Sequence, residues 1–218
     1  MAIQSFFGPG VPGFIDRDGN KYAPNANGIF IIDSKYAFEA QQAGLSRAFA
    51  EQCVILAPIA AELVSIKAAA IAANGAITIA AQPDCARKLQ VRQVIVTAIT
   101  GGLLTLTGVG INGQTLSEVL SLIAASTQTL KTANAFLNLT AGVVSGLVGG
   151  GDGTLGIGVA ADLALPTQSG VNGGSMQVLK EKVGTTAEAI GTIDTVAGTI
   201  SPTSAPDGTK NFTINYLC

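Results

Sequence analysis

The chain has 218 residues and a formal net charge of −2, from 12 basic and 14 acidic side chains; no basic stripe is present, which argues against a phosphate-driven nucleic-acid binder. Hydrophobic residues make up 48% and charged residues 12%, a balance that excludes a disordered charged tail. There is no histidine and no tryptophan, and aromatics are only 5%, which removes Ser-His-Asp and Cys-His catalysis, histidine-held metals and haem, a histidine pH switch, and a site built on stacked rings.

The mean hydropathy of +0.46 is high for a soluble chain and points to apolar surface buried against partners as well as inside. The 27 glycines point to a turn-rich scaffold. Cys53, Cys85 and Cys218 are odd in number and far apart, unlike a disulfide framework or a CxxC metal site, and read as thiols in a reducing compartment. The composition gives no cofactor and no enzyme.

Residues 1–13 carry Gly8-Pro9-Gly10 and Pro12-Gly13. Proline and glycine at this density stop both helix and central strand, so the segment reads as an extended arm. It lacks the basic and apolar regions of a signal peptide, and no stretch of roughly 18 uninterrupted apolar residues follows; the expectation is a soluble protein made without export and without a membrane partner.

Residues 14–45 read as a small module. Asp18-Gly19 suits the positive φ of a tight hairpin turn between Phe14-Ile15 and Lys21-Tyr22. Asp16, Asp18 and Asn20 imitate the start of a calcium loop, but the glycine and glutamate that such a loop needs are out of place. Asn27-Gly28 turns into the apolar run Ile29–Ile32, Asp33 is placed to cap a helix, and residues 34–43 fit that helix, with Gly44 beyond it. Residues 46–62, Ala-rich and interrupted by Pro58, read as a helical linker.

From about residue 63 the apolar period becomes two. Strands are expected at Val64–Lys67, Ile77–Ile79, Leu89–Val96, Leu104–Val109, Thr115–Leu120, Thr127–Lys131, Phe136–Thr140, Thr154–Val159 and Asn211–Tyr216. Turns are expected at Asn74-Gly75, Gly101-Gly102 and Asn112-Gly113, with a hairpin loop at 149–153 and further strand and loop over 180–200. Turn signals at this spacing give a mainly β fold, a β-sandwich or barrel-like domain over residues 63–218, preceded by the 1–45 arm and module and the 46–62 linker. The stretch 119–134 reads as more helical than its surroundings.

Sites for chemistry are few. The Gly149–Gly153 run lacks the Gly-Lys-Ser/Thr of a phosphate loop, and Gly156-x-Gly158-x-x-Ala161 lacks the strand-helix-strand unit of a dinucleotide site. Pro83, Asp84 and Arg87 are the distinctive group: Pro83 fixes a corner, Asp84 closes a turn onto nearby amides, and Arg87 braces it by charge.

These residues also carry a resemblance. Pro83-Asp84-x-x-Arg87 leads into a strand, followed in order by Leu104-Thr-Leu-Thr-Gly108, Asn112-Gly113-Gln-Thr115-x-x-Glu118, Ala135-Phe136, and Gly156-Ile157-Gly158 with Asp162-Leu163-Ala164-Leu165-Pro166. The series resembles virion structural proteins of tailed bacteriophages, in particular head decoration, or cement, proteins. Asp18-Gly19-Asn20-Lys-Tyr22-x-Pro24-Asn25-x-Asn27-Gly28 with Ala43-Gly44-Leu45 is similar to a small module at the ends of phage structural proteins.

The resemblance implies a protein that binds the outer shell of the head, bridges coat subunits and resists internal pressure. It implies the major capsid protein as partner, a homo-oligomer (dimer or trimer), no cofactor, and a place on the virion surface. Phe6, Phe7, Phe14, Tyr22 and Tyr36, in the arm and module, are then the candidate capsid contacts. A tail, neck or fibre component is the nearest alternative, and a β-sandwich module for a host surface is the next.

Overall fold

A computed structural model describes residues 14–15, 21–22, 30–33, 49–149, 153–166 and 177–217. Every helix or strand among them is a strand, so the chain is mainly β. The arm at 1–13 and the helix expected over 34–43 lie outside the described residues.

β1 (Phe14–Ile15) and β2 (Lys21–Tyr22) pair antiparallel, with Phe14 opposite Tyr22 and Ile15 opposite Lys21. This is the pairing that Asp18-Gly19 implies. β3 (Phe30–Asp33) takes up the apolar run and ends at Asp33.

β4 (Phe49–Ile55) corrects the sequence reading: these residues form a strand where a helical linker is expected over 46–62. β4 lies parallel to β3 and antiparallel to the C-terminal strand Phe212–Leu217. Ala50 and Glu51 favour a helix locally, but Gln52 and Val54 are exposed while Ile55 is buried and Cys53 half-buried. That alternation, with a ladder on each side, outweighs a weak intrinsic propensity.

Then come β5 (Glu62–Ile71), β6 (Gly75–Ala76), β7 (Arg87–Val94), β8 (Ile99–Val109), β9 (Thr115–Ser121), β10 (Gln128–Phe136), β11 (Asn138–Gly149) and β12 (Thr154–Ala164). The C-terminal part supplies β13 (Gln177–Val183), β14 (Thr186–Glu188), β15 (Thr192–Asp194), β16 (Thr199–Ser201) and β17 (Phe212–Leu217). They build a six-stranded sheet of order β10-β7-β12-β16-β15 with β5 also on β12, a four-stranded sheet β6-β11-β8-β9, and a five-stranded sheet β14-β13-β17-β4-β3. β12 is the branch point. Its first half pairs with both β5 and β7, and its end pairs with β16. Its side chains are buried almost without a break, as expected of a strand covered on both faces.

The two larger apolar cores among the described residues follow. The larger joins the six- and four-stranded sheets through Ile66, Leu89, Val91, Leu104, Leu106, Phe136, Leu139, Val144, Leu155 and Ile157. The smaller joins the five-stranded sheet to the ends of β12 and β16 through Leu163, Ile200, Phe212, Ile214 and Tyr216.

Four further expectations are corrected. Gly101-Gly102 is no turn, because β8 runs through both residues. At Gly102 (φ +148°) a Cβ would stand 3.0 Å from Leu147 Cδ1, so glycine here admits the neighbouring strand where its register slips between Ser145 and Val148. No β11–β12 hairpin forms on either side of the loop expected at 149–153, because β11 and β12 belong to different sheets. The strand expected at Ile77–Ile79 does not form there: β6 occupies Gly75–Ala76 just before it, and Ile77 N–H donates to Gly142 O at 2.9 Å. The stretch 119–134 holds the end of β9 and most of β10, with no helix. At Asn112-Gly113 the expected turn forms, with Gly113 at φ +78° and Gly110 N–H donating to Gln114 O at 2.9 Å.

Candidate interaction surface

The corner at the start of β7 is held by Arg87, whose side chain is fully buried. Its Nη1 donates to Asp84 Oδ1 at 3.0 Å and to Ile59 O at 3.0 Å, and its Nε donates to Ala160 O at 2.6 Å. Asp84 in turn accepts from Ile59 N–H at 2.7 Å. Pro83 is buried beside them. The pair therefore clamps a segment 25 residues upstream and the bend in β12, where the sequence reading has Asp84 closing a local turn. Cys85, next to Asp84, has its thiol pushed up to about 12, by burial first and then by the Asp84 carboxylate, against an opposing pull from Arg87. At that value the thiol stays protonated at neutral pH.

One face of the six-stranded sheet carries ions that cross it from strand to strand. Lys131 on β10 reaches over β7 to Asp162 Oδ2 on β12 at 2.8 Å. Ser201 Oγ on β16 donates to Asp162 Oδ1. Lys88 on β7 meets Asp194 Oδ2 on β15 at 2.7 Å. Burial acts to raise the Asp162 pKa, but hydrogen bonds from Lys131 and Ser201 and the charges of Lys131 and Lys88 outweigh it and hold the carboxyl below its usual range. Asp194 is also held low, by Lys88 first and then by the Ala197 N–H.

The four-stranded sheet presents the opposite kind of surface. Across β9, β8 and β11 the outward rows are Ser117-Thr107-Ala141, Val119-Thr105-Val143 and Ser121-Leu103-Ser145. Ala76 of β6 continues the middle row. Leu103, Val119, Val143 and Val148 are exposed. Glu118 is the one ionisable residue in these four strands. It lies on the other face with Leu116 and Leu120, and its carboxylate accepts from Ala133 N–H at 2.6 Å and Asn134 N–H at 2.9 Å. The outward face is thus free of charge and rich in short β-branched and hydroxyl side chains.

Among the expected contact residues, Phe14 and Tyr22 face each other as backbone partners on β1 and β2. Phe6, Phe7 and Tyr36 lie outside the described residues. Among the described residues no group of three or more histidine, cysteine, aspartate or glutamate side chains is placed to hold a metal, and no helix is long and apolar enough to cross a membrane.

Sequence reasoning missed the charge-free face. Its signal was present, since β8 and β11 contain no Asp, Glu, Lys or Arg between them; only the pairing shows that they lie side by side. It also missed Glu181, fully buried on β13 opposite Glu188. No family model matches the chain, and no curated protein and no solved structure matches it.

Proposed function

We propose that the chain is a virion structural protein of a tailed bacteriophage, a capsid decoration (cement) protein that binds the outer shell and stabilises the head by bridging coat subunits. The observation that carries the reading is the charge-free outward face of β9, β8 and β11, because a face with no ion to desolvate is cheap to bury against protein. The ordered series from Pro83 to Pro166 that resembles decoration proteins supports the same reading.

In this account the β-sandwich-like part of residues 63–218 forms a homo-oligomer, a dimer or trimer, through that face. The arm and the 14–45 module, with Phe6, Phe7, Phe14, Tyr22 and Tyr36, meet the major capsid protein. Closed symmetry multiplies weak shell contacts, so an oligomer holds the lattice by avidity without a single tight pocket. No catalytic step, cofactor, nucleic acid or membrane enters the mechanism.

The test is co-sedimentation with purified, expanded shells. The full chain is expected to sediment with them, and a chain lacking residues 1–45 is expected to remain a folded oligomer in the supernatant. Sedimentation of the truncated chain would overturn the division of labour, and failure of the full chain to bind would overturn the function.

A further inference from the structure

Between the open ends of the six- and four-stranded sheets lies a cleft of about 400 Å³. Half of its lining residues are alanine, and Ile77, Val144 and Leu155 complete the apolar wall. That volume falls at the small end of ligand sites, which run from about 300 to 1,000 Å³ and combine apolar walls with a few placed polar groups. Here the polar groups are Lys67, Asn74 and Thr78.

Lys67 owes its position to an irregularity of the β5–β12 ladder. Ala70 pairs with Leu155 and Lys67 with Ile157, so three steps on β5 oppose two on β12. Across this bulge the Lys67 ammonium donates to Leu155 O at 2.6 Å and to Ala68 O at 3.1 Å. An ammonium has three donors, and no carboxylate within ion-pair distance answers its charge among the described residues. Burial lowers its pKa with no acidic neighbour to offset the effect. Asn74 uses its Oδ1 to accept from Leu147 N–H at 2.8 Å, which leaves its Nδ2 as a second donor on the wall.

We infer that this cleft binds a small aliphatic carboxylate, its chain along the alanine wall and its carboxylate against the Lys67 ammonium. The occupant follows from charge complementarity. The cation is held in place by two carbonyls and so needs no rearrangement to receive an anion, and the walls offer apolar contact without aromatic rings. An alcohol of the same length would lose the ionic contact, and an amine would meet a like charge.

The experiment is isothermal titration calorimetry of the full chain with octanoate, octanol and octylamine, repeated on Lys67→Met and Lys67→Arg. Octanoate is expected to bind at least about tenfold more tightly than octanol, with octylamine weakest. Lys67→Met is expected to lose that preference while melting as a folded protein, and Lys67→Arg to keep it. Equal binding of octanoate and octanol to the unaltered chain, no octanoate binding at all, or octanoate binding unchanged in Lys67→Met would each overturn the inference. The ligand series on the unaltered chain decides the matter even if Lys67→Met fails to fold.

Discussion

The outer faces of the two main sheets are built on opposite terms. The six-stranded sheet ties β10, β7, β12, β16 and β15 together with Lys131–Asp162, Asp162–Ser201 and Lys88–Asp194. The four-stranded sheet carries uncharged side chains outward, mostly hydroxyl, alanine and branched apolar ones, in rows such as Val119-Thr105-Val143. Both sheets contribute to one core, so interior packing does not set the difference. An ionic face is satisfied by itself and resists burial, because each ion must be desolvated. A neutral face has few internal contacts to give up and gains by being covered. The contrast assigns self-bracing to one sheet and association to the other.

The largest effect is expected at the corner that ties the start of β7 to β12 and to Ile59. Arg87→Met removes the contacts to Asp84, Ile59 O and Ala160 O, the last of them buried. Asp84 is exposed while the guanidinium is buried, so the loss is that of charge-assisted hydrogen bonds, about 1.5–3 kcal/mol, read as a lower denaturant midpoint in urea unfolding. A change of less than about 1 kcal/mol would mean that the clamp is incidental.

The next test acts on the neutral face. Val143→Lys places a charge in the Val119-Thr105-Val143 row, at an exposed position. Monomer stability should move by no more than about 0.5 kcal/mol, while light scattering should show the oligomer lost. The matching change on the ionic face, Gln90→Lys beside Lys131, should leave association intact. Equal effects of the two would erase the distinction between the sheets.

A third test concerns a buried acid that neither face displays. Glu181 has its pKa raised, by burial first, with the Glu188 charge adding to it against the hydrogen bonds from Gly191 and Thr203. Gly191 N–H donates to its Oε2 at 2.8 Å, and its Oε1 has no hydrogen-bond partner. A carboxyl whose folded pKa lies above its unfolded value contributes stability below the unfolded pKa and loses it as pH rises through the folded one. Thermal stability should therefore decline as pH rises above the ordinary glutamate range, about 4.3, and Glu181→Gln should remove that decline. An unchanged pH profile in the variant would count against the assignment.

The smallest effect is expected from Asp162→Asn. Its lowered pKa gives the reverse sign: stability is present above the unfolded pKa and lost as pH falls through the folded one. Lys131 is half-exposed, so screening limits the difference to less than about 1 kcal/mol, visible as a flatter acid limb in melting curves.

What the sequence revealed depended on range. Asn112-Gly113 acts on its own backbone and the turn follows, and β1 pairs with β2 as the Asp18-Gly19 signal between them implies. The Asp84–Arg87 pair is three residues apart and could be read directly, while its carbonyl partners at Ile59 and Ala160 come from distant segments. Gly101-Gly102 misled because glycine serves a close approach of strands as well as a turn, and Leu147, the neighbour that requires it, is remote. The run Phe49–Ile55 misled because its helical residues are overruled by β3 and β17. The neutral face was written along β8 and β11, yet only the pairing register turns two uncharged strands into a surface.

The most direct test of the proposed function is the copy number of this chain against the major coat protein in purified virions. The account predicts a simple ratio, one copy per coat subunit or a fixed fraction set by the shell lattice. A handful of copies would contradict it in favour of a tail or neck component, and absence from the particle would contradict a virion role altogether.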